Sequence, residues 1–216
     1  MENKAEEQQT SRPDVLCEGT ALENVFRFTY LGSVFAADGL QLYDIRMRVG
    51  KAMSRCGKLG HLFDSPDLGP RLKIRLYKAA VVSLLTYGCE SWNLSQEVLR
   101  KFNGCNSQML ARITGRSVRE EARSTTASFD LVKTVRVRRL RWLGQILRGD
   151  QSRLLFRAVA HQFQNRSTGD LFMDAPPHKN LDDLITLAAD TTFWKSLESS
   201  IPSHLRKITM YNRHNM

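Results

Sequence analysis

The chain has 216 residues, of which 42% are hydrophobic and 25% charged, the balance of a folded protein and not of a wholly disordered one. It contains no run of about 18 apolar residues, so no membrane span is expected, and its polar, acidic start, Met1 to Glu7, lacks the pattern of a secretory signal. The net charge of +10 is concentrated: residues 1–43 carry −4, residues 44–160 carry +14 and residues 161–216 carry none. A positive field of that density favours polyanions and makes association salt-dependent.

Residues 1–19 are polar, lack apolar periodicity and read as a flexible tail. The aromatic and β-branched run Val25 to Leu31, then Ser33 to Ala36, predicts two short strands around Gly32, closed by a turn at Asp38-Gly39. From Gln41 the period becomes helical. Leu42, Ile45, Val49, Met53, Cys56 and Leu59 define one apolar face, with Arg46, Arg48, Lys51, Arg55 and Lys58 on the other sides. Gly50 and Gly57 weaken such a helix by up to about 1 kcal/mol each, and close packing would account for them.

After the breakers Asp64-Ser65-Pro66-Asp67 and Gly69-Pro70, a second helix is expected over 71–87. A third starts near Ser95, a candidate N-cap, and runs to Ile113 with Leu99, Phe102, Asn106, Met109, Leu110 and Ile113 on one face, ended by Gly115. Residues 114–128 read as a polar loop. A fourth helix from Phe129 buries Val132, Val135, Leu140, Leu143 and Leu147, and a short helix follows over 153–163. The expected fold is therefore mainly α: a short N-terminal β-hairpin followed by five or six amphipathic helices. The organisation is a tail (1–19), a hairpin with a basic helical domain (20–163), a linker with Pro176 and Pro177 (164–180), a C-terminal helix (181–200) and a polar tail (201–216).

Two basic ridges stand out. Arg71, Arg75 and Lys78 share an arc of the second helix, and Arg138, Arg141 and Arg148 form a stripe on the fourth, opposite Leu140, Leu143 and Leu147. Such ridges above apolar faces can hold a phosphate backbone by point contacts, or be ordinary solvated faces. Tyr30, Tyr77, Tyr87, Trp92 and Trp142 could stack on bases, but each lies within an apolar pattern that favours the core. The five histidines show no ligand spacing, the four cysteines read as reduced thiols of a cytosolic or nuclear protein, and Asp182-Asp183 is a poor metal clamp because helical neighbours diverge. Cys89 has no histidine partner that would make it a nucleophile. No cofactor and no metal is expected.

Together these blocks carry a resemblance. Phe28-Thr29-Tyr30-Leu31-Gly32-Ser33 with Asp38-Gly39 resembles the primer-grip hairpin of non-LTR (LINE-like) retrotransposon reverse transcriptases. Lys73-Ile74-Arg75-Leu76-Tyr77 and Leu84-Leu85-Thr86-Tyr87-Gly88-Cys89-Glu90-Ser91-Trp92 resemble the helix and turn that follow in that family. Ile113-Thr114-Gly115-Arg116 and the run from Arg138 to Arg148 resemble a further block, and Leu187-Ala188-Ala189-Asp190 with Trp194 is a weaker echo of the last helix. Gln145 stands where the family usually has His.

The resemblance covers roughly residues 22–200. It implies a thumb and post-thumb region that binds RNA or DNA of primer–template type, with Tyr30, Leu31 and Gly32 as the primer-grip-like residues. The palm, with its two-aspartate turn, would precede residue 22, where nothing resembles it, so no polymerase activity is expected of this chain. Two alternatives stand beside that reading: a helical structural or protein-interaction remnant, and a truncated gene model of an active RNA-directed DNA polymerase.

Overall fold

The computed structural model describes residues 15–37, 42–92, 96–117, 129–165, 174–178 and 180–201. Two compact units result, Met1–Asp44 and Ile45–Met216, and the division falls inside the 20–163 stretch. The protein is mainly helical with short N-terminal strands, as its periodicity predicts.

The first unit holds two antiparallel hairpins. Strands β1 (Leu16–Cys17) and β2 (Thr20–Ala21) are joined through Glu18 and Gly19 at φ of 50° and 81°. Strands β3 (Arg27–Tyr30) and β4 (Ser33–Ala36) are joined through Leu31 and Gly32 at 48° and 83°. Positive φ at both central residues marks the type I′ turn, whose twist matches that of paired strands. The β1–β2 hairpin corrects the expected tail: residues 16–19 lie within it, and Glu-Gly is a weaker turn signal than Asn-Gly or Asp-Gly. At the end of this unit the buried Asp44 accepts from the Val34 amide at 3.0 Å, and Arg27 stacks over Tyr43 at 4.4 Å. The expected turn at Asp38-Gly39 and the Ser95 cap lie outside the described residues.

Helix α1 (Leu42–Lys58) enters the second unit, which continues with α2 (Gly60–Asp64) and α3 (Pro70–Tyr77). Pro70 starts α3 where its missing N–H is no loss. The helix then widens into a π-helical turn, Lys78–Val82, before α4 (Ser83–Leu85), so the expected 71–87 helix is present but not uniform. Gly88, at φ 68°, turns the chain into a 3₁₀ turn at Cys89–Ser91. Next come α5 (Gln96–Thr114), stopped by Gly115 at φ 70°, then α6 (Leu131–Leu147), α7 (Leu154–Asn165), α8 (Leu181–Ala189) and α9 (Thr191–Ser200).

Helix α6 is the hub. It packs on α5, the 3₁₀ turn, α7, α8 and α9, which is why Leu131, Val132, Val135, Leu140, Leu143, Ile146 and Leu147 are all buried. Its C-terminal half shares a core with Phe156, Val159, Leu184, Ala188 and Trp194. The six-residue face expected of α5, Leu99 to Ile113, is buried throughout. The expected last helix is two helices: Asp190 has extended backbone and accepts from the Thr192 and Phe193 amides at 3.0 and 2.9 Å, capping α9 and ending α8. Among the described residues no helix is long and apolar enough to cross a membrane.

Three expectations for α1 are corrected. Arg48 is buried, its guanidinium 5.4 Å from the Tyr87 ring centre and 5.6 Å from that of Trp92. Met53 is exposed, and Ala52 takes the inward position instead. A Cβ at Gly50 or Gly57 would meet nothing within 4 Å, so close packing does not explain either glycine. Core placement holds for Tyr77 and Trp92, but Tyr30 and Tyr87 are exposed, the first beside a hairpin turn and the second past the end of α4.

Candidate nucleic-acid interface

The site begins with the entry into α6. Asp130 caps the helix, accepting from the Lys133 amide at 2.8 Å, and Thr134 back-bonds to the Asp130 carbonyl at 2.8 Å. Phe129, one residue earlier, sets its ring edge against Tyr77 at 6.0 Å. The Tyr77 hydroxyl donates to Asn106 Oδ1 at 2.9 Å, and Asn106 Nδ2 donates to the Phe129 carbonyl at 3.1 Å. This relay ties α3, α5 and the start of α6 together. Burial raises the Tyr77 phenol far above its ordinary pKa, so it stays a neutral donor.

Against this frame lies an open groove of about 420 Å³, lined by Lys78, Phe129, Asp130, Lys133, Thr134, Val137, Arg138 and Arg141. Lys78 comes from the π-helical turn and holds its ammonium 4.9 Å from the Phe129 ring centre. Lys133, Arg138 and Arg141 come from α6. Four cations therefore line the groove together with the apolar Phe129 and Val137, and the one lining carboxylate, Asp130, is engaged as a cap.

The two expected ridges are only partly united here. Lys78, Arg138 and Arg141 meet at the groove. Arg71 and Arg75 are exposed on earlier turns of α3 and do not line it, and Arg148 follows the last turn of α6, about 15 Å along the axis from Arg138. Tyr30, Leu31 and Gly32 form the exposed tip of β3–β4 in the first unit. Gln145 is exposed on α6. Sequence spacing missed Lys133, whose signal was its place three residues after a capping Asp at the mouth of a basic helix.

The α6 arginines also hold the fold. Arg138 donates to the Thr86 carbonyl at 3.2 Å and Arg148 to the Ala188 carbonyl at 2.9 Å, each near the carbonyl end of a helix where a cation is favoured. Arg141 is paired with Glu198 at 2.6 Å, and Arg136 Nε donates to the part-buried Asp174 at 2.8 Å. Arg139 is buried. The stripe that spacing offers as a solvated or ligand-facing ridge is thus also a set of clamps on neighbouring elements.

Burial pushes the Cys89 thiol up to about 12 and that of Cys105 up to about 11, so neither is a ready nucleophile at neutral pH. Among the described residues no group of three or more His, Cys, Asp or Glu side chains is placed to hold a metal ion. No protein-family model, no curated protein and no solved structure matches the chain.

Proposed function

We propose that the chain is a remnant of a non-LTR retrotransposon reverse transcriptase that acts as a non-catalytic module binding RNA or DNA through the phosphate backbone. The observation that carries this reading is the convergence of Lys78, Lys133, Arg138 and Arg141 on one open groove. These residues lie in a segment of charge +14, and each phosphate they contact would release counterions, giving affinity without sequence preference. The family origin rests on the ordered motif blocks of the sequence.

Two-metal nucleotidyl transfer requires clustered carboxylates, which the chain's sequence does not offer. Purified protein given Mg²⁺, a primed template and deoxynucleotides should therefore extend nothing. Incorporation above a heat-killed control would return the chain to the active polymerases.

Fluorescence anisotropy over a salt series tests binding. Lys78→Gln with Lys133→Gln should weaken binding and flatten the salt slope by about 1–2 units, since each lost contact is worth about 0.9 on duplex DNA. Lys58→Gln with Lys195→Gln, an equal loss of charge at exposed positions outside the groove, should do much less. Equal weakening by both pairs would reduce the effect to net charge.

A second reading, a helical structural or protein-interaction remnant, is favoured by a different observation. Arg136, Arg138, Arg141 and Arg148 all engage partners within the protein. Failure of the unmodified protein to bind at low salt would establish that reading in place of the first.

A further inference from the structure

Two of the four groove cations are held by consecutive residues of one helix turn. Glu198 accepts from Arg141 Nε at 3.2 Å and from Nη2 at 2.6 Å through the same Oε2 oxygen. The Ser199 carbonyl accepts from Lys133 Nζ at 3.4 Å. Both acceptors lie in the last turn of α9, where carbonyls lack helical partners and the helix dipole is negative. The Nε/Nη2 edge covered by Glu198 is also the fork with which an arginine grips a phosphate. The Arg141 side chain is 57% exposed and that of Glu198 only 14%, so the carboxylate approaches from the protein side and leaves the guanidinium at the groove rim.

We propose that the last turn of α9 is a built-in competitor for the groove: Glu198 and the Ser199 carbonyl occupy the positions on Arg141 and Lys133 that nucleic-acid phosphates take on binding. The proposal rests on the nucleic-acid reading and adds its regulation. Binding then requires exchange of an internal anion for an external one, so affinity is set by the strength of the Glu198 contact as well as by the number of cations. Anything that loosens that last turn from Arg141 and Lys133, with Trp194 still seated on α6, raises affinity without adding a residue to the site.

The test is anisotropy with a labelled RNA–DNA duplex, using the full chain. Glu198→Gln keeps side-chain size and a hydrogen-bonding oxygen but removes the charge. It should bind roughly two- to fivefold tighter at low salt, the factor that a largely exposed ion pair is worth, because no internal anion then has to be displaced from Arg141. Asp182→Asn, the same loss of charge at an exposed site on α8, should change affinity much less. The Glu198→Gln gain should vanish in the double variant with Arg141→Gln, which separates exchange at Arg141 from a general change of charge. Equal effects of Glu198→Gln and Asp182→Asn, or a gain that survives the loss of Arg141, would overturn the competitor while leaving the groove intact. Absence of binding by all the proteins would overturn the groove and the competitor together.

Discussion

The Trp194 indole occupies the space that a side chain at Gly144 would fill: a Cβ there would lie 2.7 Å from Cε2 and 2.9 Å from Cδ1. From that position Nε1 donates to the Leu140 carbonyl at 3.0 Å, and the ring is 1% exposed. The glycine lets α9 approach α6 closely enough for an indole to reach the helix backbone. Gly144→Ala should therefore destabilise the protein by about 1–3 kcal/mol in urea unfolding, the range for overpacking a close contact. Trp194→Phe should also destabilise, through lost volume and a lost hydrogen bond. The double variant should lose less than the sum, because the smaller ring relieves the overlap. Strict additivity would mean that the two positions do not share that space.

Gly50 and Gly57 give the opposite expectation. Both are exposed within α1, and a Cβ at either would meet nothing within 4 Å. Replacing each with Ala removes backbone freedom from the unfolded chain at no steric cost, so each should add up to about 1 kcal/mol. Thermal melts of the single variants and the pair measure it. A fall in melting temperature would show that these positions meet something that the helix alone does not present.

How much of this was legible in the sequence depends on what set each feature. The buried face of α5 and most of that of α6 followed from spacing, because one apolar stripe packed against one core produces a clean period. Arg48 broke the pattern of α1, because two aromatic rings from a distant segment cover its guanidinium. The division at Asp190 was present as an Asp-Thr-Thr start signal inside a continuous apolar period, and capping overrode the period. The basic ridges were visible as positions. The partners of Arg138, Arg148 and Arg141 (Thr86, Ala188 and Glu198) lie 40 to 57 residues away, beyond the reach of any local pattern.

The thiols provide a check on burial that does not depend on function. Cys17 is exposed, whereas Cys56, Cys89 and Cys105 are buried. Desolvation raises all three buried thiols, Cys89 to about 12 and Cys105 to about 11. At pH 8 a thiol reagent should modify one cysteine rapidly in the folded protein and the other three only on unfolding. A thiol whose folded pKa is raised holds its proton more tightly when folded, so its stabilisation is complete below the ordinary thiol value. It is lost as pH climbs through that value toward 11–12. Stability should therefore decline on the alkaline side, and Cys89→Ser with Cys105→Ser should flatten the decline. Rapid labelling of all four thiols at pH 8 would contradict the packing of α5 and the 3₁₀ turn.

The cations on and around α6 should separate into two groups by stability, whatever they do in binding. Arg136 donates to Asp174, whose side chain is only 5% exposed, so Arg136→Gln leaves a buried carboxylate without its countercharge. Loss of one partner of such a pair costs about 3–5 kcal/mol. Arg148→Gln removes a hydrogen bond to the end of α8 and should cost about 1.5–3 kcal/mol, the range for bonds made by charged groups. Arg141→Gln breaks a pair whose guanidinium is largely exposed, and should cost at most about 1 kcal/mol. Lys78→Gln and Lys133→Gln should each fall within about 0.5 kcal/mol, because their contacts are a cation over one ring and a long bond to an exposed carbonyl. Urea unfolding of the five single variants gives the order directly. If Lys78 or Lys133 proved as costly to replace as Arg136, the groove lysines would be structural clamps like the arginines. Weaker binding after their loss would then no longer identify a site.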